Sequence, residues 1–328
     1  MRPDSEFDLI TRYFAWPAPA GMLGVGDDCA LLSVSHGFQM AVSSDMLVEG
    51  QHFFADVDPA DLGYKALAVN LSDLAAMGAR PLACTLALSI PRIDHHWLRG
   101  FSGGFQTLSR QAQCPLIGGD TTRNPAGVVI SVTVMGEVRR NHALRRDAAK
   151  VGDDIWVTGE LGAAELALRL MQGRLPADAA RLAAARPALE RPWPRLRFGQ
   201  RLAGMGRAAL DISDGLLQDL GHILRASHCG ADLMFDRIPA APMLDGLDEN
   251  VRRDIILGGG DCYELCFTAT PKRREQIQAT ARMLDVPVSR IGVVTRGDAL
   301  RVLDADGAVL SVGRGGYDHF VGEGANGA

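Results

Sequence analysis

The stretch Asp211-Ile212-Ser213-Asp214-Gly215 lies where a predicted strand, Arg207 to Ile212, meets a predicted helix, Leu216 to Ala226. It brings two carboxylates and a hydroxyl close together in the chain. As a purely structural feature, Asp214 would cap the start of the helix, since Asp is a favoured N-cap. Gly215, however, lets a ligand approach that helix end closely. The stretch therefore predicts an αβ unit with a ligand site at the end of a strand.

Acidic residues follow glycine or serine at several other predicted turns. Carboxylates crowded into one fold repel one another unless cations lie between them. Mg²⁺ suits such oxygen ligands, because it binds a few carboxylates together with phosphate oxygens of a substrate. Asp also serves ordinary turn chemistry, but the whole set predicts phosphate chemistry on magnesium. The turns are Gly26-Asp27-Asp28, Ser43-Ser44-Asp45, Gly118-Gly119-Asp120 and Gly258-Gly259-Gly260-Asp261.

The clearest predicted helix runs from Pro59 to Met77 and contains an acidic residue on its apolar stripe. Proline suits the first turn of a helix, and Gly78 suits its end. Asp73 falls on the same face as Leu62, Ala66, Val69 and Met77, because steps of three and four residues stay on one face. Burying an unpaired carboxylate is costly. Asp73 therefore needs a basic side chain or a metal as its partner, unless it lies at the wet edge of the stripe.

Composition excludes several classes of protein. The chain has 328 residues, of which 47% are hydrophobic and 22% charged, as expected of a soluble protein with two domains. A formal charge of −5 argues against a general nucleic-acid or membrane-surface binder, and no apolar run is long enough to span a bilayer. The six cysteines form no C-x-x-C pair. Without a signal peptide, they are expected to be free thiols in the cytoplasm.

Two halves of similar pattern are separated by the polar, basic run from Arg139 to Gly152. We predict an N-terminal domain over residues 1–140, a C-terminal domain over 150–320 and a flexible tail over 321–328. Each domain is expected to be mixed α/β (α+β), with a site at strand ends in a cleft between the two. The run Ala183 to Arg197, rich in proline and arginine, is predicted to be a surface loop. Further strands are predicted at Phe38 to Ser43, Pro81 to Ile90, Val128 to Val138, Asp154 to Val157, Ala231 to Phe235, Tyr263 to Thr268, Ser289 to Val294 and Leu300 to Leu303, and further helices at Ser5 to Phe14, Asp94 to Gln111, Ala163 to Met171 and Lys272 to Leu284.

An ordered set of motifs covers nearly the whole chain. It comprises Gly26-Asp27-Asp28-Cys29-Ala30, Ser43-Ser44-Asp45, His52-Phe53, Tyr64 to Gly78, Gly118-Gly119-Asp120-Thr121-Thr122, Asp211 to Leu216, Tyr263 to Phe267 and Tyr317-Asp318-His319-Phe320. In this order the set resembles the thiamine-monophosphate kinases. A single short motif would be weak evidence, but the run around Asp73 is long and specific. The chain contains neither a G-x-x-x-x-G-K-[ST] loop nor a protein-kinase H-R-D motif.

The resemblance implies the fold of aminoimidazole ribonucleotide synthetase, with two αβ domains and with the N-terminal sheets of a homodimer pairing into a barrel. It also implies ATP-dependent phosphorylation of thiamine monophosphate to thiamine diphosphate, a step of thiamine diphosphate biosynthesis, on several Mg²⁺ ions. Because the acceptor phosphate is already an anion, direct in-line transfer needs no general base, and metals would do the positioning. No catalytic side chain is therefore predicted.

The resemblance also assigns roles to individual residues. The metal ligands would be Asp28, Ser43, Ser44, Asp45, Asp73, Asp120, Asp211 and Asp214; ATP would contact Gly119, Asp120, Arg146 and Ser213; the thiamine phosphate would contact His52 and Asp261. Two positions depart from the family pattern. The usual Gly-Gly-Glu-Asp is Gly259-Gly260-Asp261-Cys262, and Arg314 stands where an aromatic residue is expected.

Other functions remain open at this point. Related synthetases share the fold, and so do selenophosphate and hydrogenase-maturation enzymes. The last two would need a reactive cysteine near the N-terminus or at the C-terminus, whereas this chain has none before Cys29 and ends in Gly-Ala-Asn-Gly-Ala. A different kind of protein would be a nucleotide-binding module without catalysis, in which Asp261, Cys262 and Arg314 mark a lost activity.

Overall fold

The computed structural model describes residues 5–26 and 29–312. The chain divides into two compact units, Met1–Ala143 and Leu144–Ala328. Asp28, Arg314, the motif at 317–320 and the tail at 321–328 lie outside the described residues. No helix in the described ranges is both long and apolar enough to cross a membrane.

The first unit is built on a sheet of strand order β1-β4-β2-β3. β4 pairs antiparallel with both β1 and β2, while β2 and β3 are parallel and are joined through α3. Helix α2 packs on β1, β2 and β4, and α3 packs on α2. The elements are α1 (Glu6–Leu9), continued by a π-helical turn (Ile10–Phe14), β1 (Phe38–Val48), α2 (Pro59–Ala76), β2 (Arg80–Ile90), α3 (His95–Ala112), β3 (Leu116–Arg123) and β4 (Val129–Arg139).

The two faces of this sheet differ in burial. Along β4, the apolar side chains of Ile130, Val132 and Val134 are buried. The alternate residues of β4 point to the opposite face, since successive side chains of a strand alternate. On that face the β1 residues Met40, Val42 and Met46 are 44%, 59% and 56% exposed. One face of the sheet is therefore covered by helices. The opposite face, called the open face below, carries these exposed apolar side chains among the residues that the structure describes.

Helices α2 and α3 approach each other closely at two glycines. A Cβ atom placed on Gly104 of α3 would lie 1.8 Å from the carbonyl oxygen of Ala60. A Cβ atom on Gly63 of α2 would lie 2.0 Å from the carbonyl oxygen of Phe101. Both distances are far below contact, so this helix packing requires glycine at both positions.

The second unit is a sheet of strand order β10-β7-β9-β5-β8-β6, in which β7 and β10 are parallel and the other pairs antiparallel. Its core includes Leu210, Ile212, Leu216 and Leu220 at the junction between β6 and α7. The elements are β5 (Asp154–Thr158), α4 (Ala163–Met171), α5 (Ala179–Glu190), α6 (Leu196–Leu202), β6 (Ala209–Asp211), α7 (Leu216–Ser227), β7 (Gly230–Met234), α8 (Glu249–Gly258), β8 (Leu265–Ala269), α9 (Arg274–Leu284), β9 (Val288–Thr295) and β10 (Leu300–Leu303).

The structure corrects three predictions of local structure. Strand β1 continues to Val48, so Asp45 lies within the strand and not just past its end. Strand β3 runs straight through Gly118-Gly119-Asp120, which is therefore not a turn. The predicted loop from Ala183 to Arg197 instead contains the end of α5 and the start of α6.

Candidate functional site

Two carboxylates of the first unit lie close together on the helix-covered face of the sheet. Ser43 of β1 donates a hydrogen bond from Oγ to Oδ2 of Asp73 on α2, at 2.5 Å. The backbone N–H of Asp45 donates to Oδ1 of the buried Asn70, at 2.9 Å. Burial and the nearby charge of Asp73 raise the pKa of Asp45 to about 6. The strand and the helix thus hold Ser43, Asp45 and Asp73 close together.

The chemistry of this acidic pair fits a hard divalent cation. Carboxylate and hydroxyl oxygens are the ligands that Mg²⁺ prefers. A bound cation would offset both the burial and the repulsion from Asp73 that raise the pKa of Asp45. In the ranges that the structure describes, however, no group of three or more His, Cys, Asp or Glu side chains is arranged to hold a metal ion. Any ion bound by Asp45 and Asp73 would thus need further ligands from elsewhere, such as substrate oxygens.

Ser44 and Asp120 do not join this pair. Register relates Asp120 to Ala87, Ser131 and Met46 on successive strands, and residues opposite one another share a face. Asp120 and Ser44 are exposed and lie on the open face of the sheet. Gly119 has φ +155°, and a Cβ there would lie 1.9 Å from the carbonyl oxygen of Leu86, so only glycine fits. The single unit therefore separates the predicted metal ligands onto two faces.

His52 follows the end of β1 and is tied back to it. The Val48 N–H donates to Nδ1 of His52 at 3.0 Å, which leaves Nε2 as the protonated ring nitrogen of the neutral imidazole. The buried Lys65 of α2 directs Nζ toward the carbonyl oxygen of His52, at 3.5 Å. Lys65 is a residue of this region that the sequence reasoning did not select.

In the second unit, the junction between β6 and α7 is held by a residue that sequence reasoning missed. Oδ2 of the buried Asp219 accepts hydrogen bonds from three successive backbone N–H groups, those of Ser213, Asp214 and Gly215, at 3.0, 2.9 and 3.0 Å. Burial raises the pKa of Asp219 to about 7; the charge of Asp214 adds to the rise, and the amide hydrogen bonds oppose it. Asp219 thus fixes the loop that carries Ser213 and Asp214.

A second loop, residues 258–264, lies directly against this junction. The N–H of Asp261 donates to the Ser213 carbonyl at 2.8 Å, and the N–H of Tyr263 donates to the Ile212 carbonyl at 2.9 Å. Asp261 and Tyr263 both have positive φ, 59° and 51°, a strained conformation that is concentrated at functional sites. The Tyr263 hydroxyl donates to Oδ1 of Asp261 at 3.2 Å. The fold therefore brings Ser213, Asp214 and Asp261 to one place in this unit.

Cys262 lies between acidic residues at the same junction. Its thiol donates to the Ile212 carbonyl at 3.4 Å, and burial raises the pKa of the thiol far above its usual range. The neighbouring Glu264 is neutralised by Arg195, whose Nε lies 2.7 Å from Oε2, and Thr158 Oγ1 donates to the same oxygen at 2.5 Å. Cys262 is therefore a neutral side chain beside Glu264, Asp219 and Asp211, and it adds no further charge to them.

The chain matches a known class over both of its units. Residues 26–138 match the N-terminal domain of AIR synthase related proteins, and residues 150–305 match the C-terminal domain of the same proteins.

Individual relatives narrow the class. The thiamine-monophosphate kinase of Escherichia coli K12 is 43% identical over 323 residues, which are 96% of this chain and 98% of that protein. The crystal structure of the thiamine-monophosphate kinase from Stenotrophomonas maltophilia K279a is 46% identical, with a TM-score of 0.81, over 88% of this chain and 92% of that one. A structure of AaThiL complexed with AMPPCP and TMP is 26% identical, with a TM-score of 0.76, over 88% and 89%. The chain belongs to the AIR synthase related proteins and, within them, to the thiamine-monophosphate kinase family.

Proposed function

We propose that this chain is a thiamine-monophosphate kinase, which transfers the γ-phosphoryl group of ATP to thiamine monophosphate and yields thiamine diphosphate and ADP. The observation that carries the proposal is 43% identity to a kinase of that name over nearly the full length of both chains. A related structure complexed with AMPPCP and TMP supports the two substrates.

The transfer is a direct in-line displacement. A phosphate oxygen of thiamine monophosphate forms the new bond to the γ-phosphorus, the bond from that phosphorus to the β–γ bridging oxygen breaks, and ADP leaves. The attacking oxygen is already anionic, so no side chain has to remove a proton. The task of the protein is to bring two polyanions together in the correct orientation.

Three sets of side chains would each supply ligands for Mg²⁺ in this reaction. Ser43, Asp45 and Asp73 form one set, Ser44 and Asp120 lie on the open face of the first sheet, and Asp211 with Asp214 belongs to the second unit. Asp28, outside the described residues, is the remaining proposed ligand. When bound, Mg²⁺ would neutralise phosphate charge and align the reacting groups.

The nucleotide and the thiamine phosphate would be bound by different residues. Gly119, Asp120, Arg146 and Ser213 would contact ATP. His52 and Asp261 would contact thiamine monophosphate. Asp261 has a shorter side chain than the glutamate of the family pattern, and the hydrogen bond from Tyr263 fixes its direction.

We further propose that two chains pair through the open faces of their first sheets and close a barrel. The exposed apolar residues Met40, Val42 and Met46 of β1 support this arrangement, because contiguous exposed apolar surface marks protein interfaces.

A direct assay tests the function. Purified protein is incubated with ATP, MgCl₂ and thiamine monophosphate, and thiamine diphosphate is measured by mass spectrometry. We expect product from the wild type, and a severe loss in Asp211→Asn and Asp214→Asn, with unchanged circular dichroism. Near-normal rates in both variants would overturn the metal assignment.

Two other outcomes would point to other functions. Nucleotide binding without product would favour a module that does not catalyse. Turnover of an aminoimidazole precursor instead would favour a synthetase of the same fold.

A further inference from the structure

A stripe of polar side chains runs along α7, from the loop between β6 and α7 that carries Ser213 and Asp214 toward the C-terminal end of the helix. Gln218, His222 and Arg225 follow one another at spacings of four and three residues, so they share one face of α7. Asp214 lies just before the start of the helix. Nε2 of Gln218 donates to Oδ2 of Asp214 at 3.4 Å. The stripe therefore begins at the acidic residues of the candidate site.

Arg225 folds back along the helix toward that site. Its NH2 group donates to Nδ1 of His222 at 3.1 Å. Gly221 provides the space, since a Cβ atom there would lie 3.1 Å from the guanidinium. Because Nδ1 accepts this bond, His222 is the neutral tautomer with its proton on Nε2, a hydrogen-bond donor. The pKa of His222 is lowered, because burial and the charges of Arg225 and Arg146 outweigh the opposing effect of Asp214.

Arg146 is anchored against the other end of α7 by its backbone. Ser227 Oγ donates to the Arg146 carbonyl at 2.7 Å and accepts from the Ala149 N–H at 3.0 Å. The preceding Arg145 is engaged by Asp147, with Nε 2.9 Å from Oδ1. In the part of the chain that the structure describes, neither Arg146 nor Arg225 has a carboxylate partner.

We propose that Arg146, His222 and Arg225 form a phosphate-binding cluster that holds the polyphosphate of the nucleotide beside Asp214. The cluster offers two guanidiniums, whose forked donors match phosphate oxygens, and one neutral imidazole donor. Two guanidiniums with no carboxylate partner among the described residues suit a ligand that carries more charge than a single phosphate group. The inference rests on the proposed function, and it adds His222 and Arg225 to the residues expected at the nucleotide.

Calorimetric binding tests the cluster independently of turnover. The wild type and Arg225→Ala are titrated with a non-hydrolysable ATP analogue, with inorganic triphosphate and, separately, with thiamine monophosphate. Loss of one charge-assisted contact should weaken binding of the analogue and of triphosphate about tenfold, and leave binding of thiamine monophosphate within about twofold. Arg225 is exposed, so its truncation should not affect folding; Arg225→Lys should recover part of the affinity, since it keeps the charge but not the fork.

Arg145→Ala is the matched control, because Arg145 is a neighbouring exposed arginine that Asp147 already engages. It should bind the analogue as the wild type does. Equal affinity of Arg225→Ala and wild type for the analogue, or a loss confined to thiamine monophosphate, would overturn the cluster. A wild type that binds nucleotide but forms no thiamine diphosphate would refute the proposed function alone, and one that binds no nucleotide would refute both.

Discussion

At the scale of single residues, Asp219 determines the shape of the loop that carries Ser213 and Asp214. One carboxylate oxygen accepts three backbone N–H groups. Asp219→Ala would leave these amides without their acceptor, and we expect a loss of about 3 kcal/mol in the free energy of unfolding. Urea denaturation measures this loss, and the kinase assay should show activity falling with it.

Asp219→Asn is the conservative partner of that variant. Asparagine keeps one carbonyl oxygen as an acceptor for the same amides, but it removes the charge and replaces the second oxygen by an NH2 group. The free energy of unfolding of Asp219→Asn should therefore be close to that of the wild type. Its KM for ATP should also be close to the wild-type value, whereas Asp219→Ala should raise it. If both variants were equally affected, the negative charge rather than the accepted hydrogen bonds would be the important property of Asp219.

Glu137 of β4 makes the stability of the first unit depend on pH. Burial by itself raises its pKa, but hydrogen bonds from Ser35 N–H, Arg80 and Ser35 Oγ, with the charge of Arg80, outweigh burial and lower it. A lowered pKa means that the ionised form stabilises the fold at pH values above the unfolded pKa, about 4.3. This stability is lost as the pH falls through the lower folded pKa.

Glu137→Gln should therefore cost about 2 kcal/mol of unfolding free energy at pH 7, and the difference from wild type should narrow as the pH falls below about 4. Urea titrations at a series of pH values measure both effects. Asp298→Asn, a change at an exposed loop residue, should show no such dependence. If the difference in unfolding free energy between Glu137→Gln and the wild type stayed constant at pH values below about 4, the hydrogen bonds to the ionised Glu137 could not be its source.

At the scale of elements, the contact of α2 with α3 depends on glycine. Gly104→Ala would place Cβ 1.8 Å from the Ala60 carbonyl oxygen, and the overpacking should cost about 3 kcal/mol. A Cβ atom on the adjacent Gly103 would meet no other atom within 4 Å, so Gly103→Ala should instead stabilise the helix by about 1 kcal/mol. Thermal unfolding of the two variants compares them directly, and shifts of the same sign would contradict this account of the packing.

The sequence predicts many elements well because local signals and burial agree. Helix α4 has the predicted limits, Ala163–Met171, and α2 begins at Pro59 as predicted. Helix α5 is missed because Pro187 indicates a loop, yet the helix forms, since Asp178 caps its start and Ala185 and Leu189 are buried. Strand β1 continues beyond its predicted end because it pairs with β4 along its whole length, to Val48 opposite Val129.

The candidate site is harder to predict from the sequence than the fold is. Acids at strand ends are visible in the sequence, and the structure holds Ser43 with Asp73 and Asp261 with Ser213. The role of Asp219 cannot be predicted from the sequence, because acidic residues are common in the first turn of a helix, where they interact favourably with the helix dipole. The pairing of Arg195 with Glu264 joins residues 69 positions apart, so only the tertiary fold reveals it.

At the scale of the whole molecule, the open face of the first sheet exposes apolar side chains along β1. β1 lies at one edge of this sheet, and its outward residues include Met40, Val42 and Met46. An exposed apolar edge strand tends to pair with another chain or to aggregate unless another part of the structure covers it. A second copy of the chain would cover it, and would also bring a second set of Ser44 and Asp120 to the same surface.

Val42→Asp tests this arrangement, because a charge at the centre of the exposed β1 surface should oppose its burial. The wild type should have twice the 35.1 kDa mass of one chain in light scattering after gel filtration, and Val42→Asp should shift toward the mass of one chain. Val309, in the second unit, is 62% exposed against 59% for Val42, so Val309→Asp controls for the added charge and should leave the mass unchanged. A Val42→Asp protein that keeps the wild-type mass at low micromolar concentration would place the interface elsewhere, and the open sheet face would then not form the barrel.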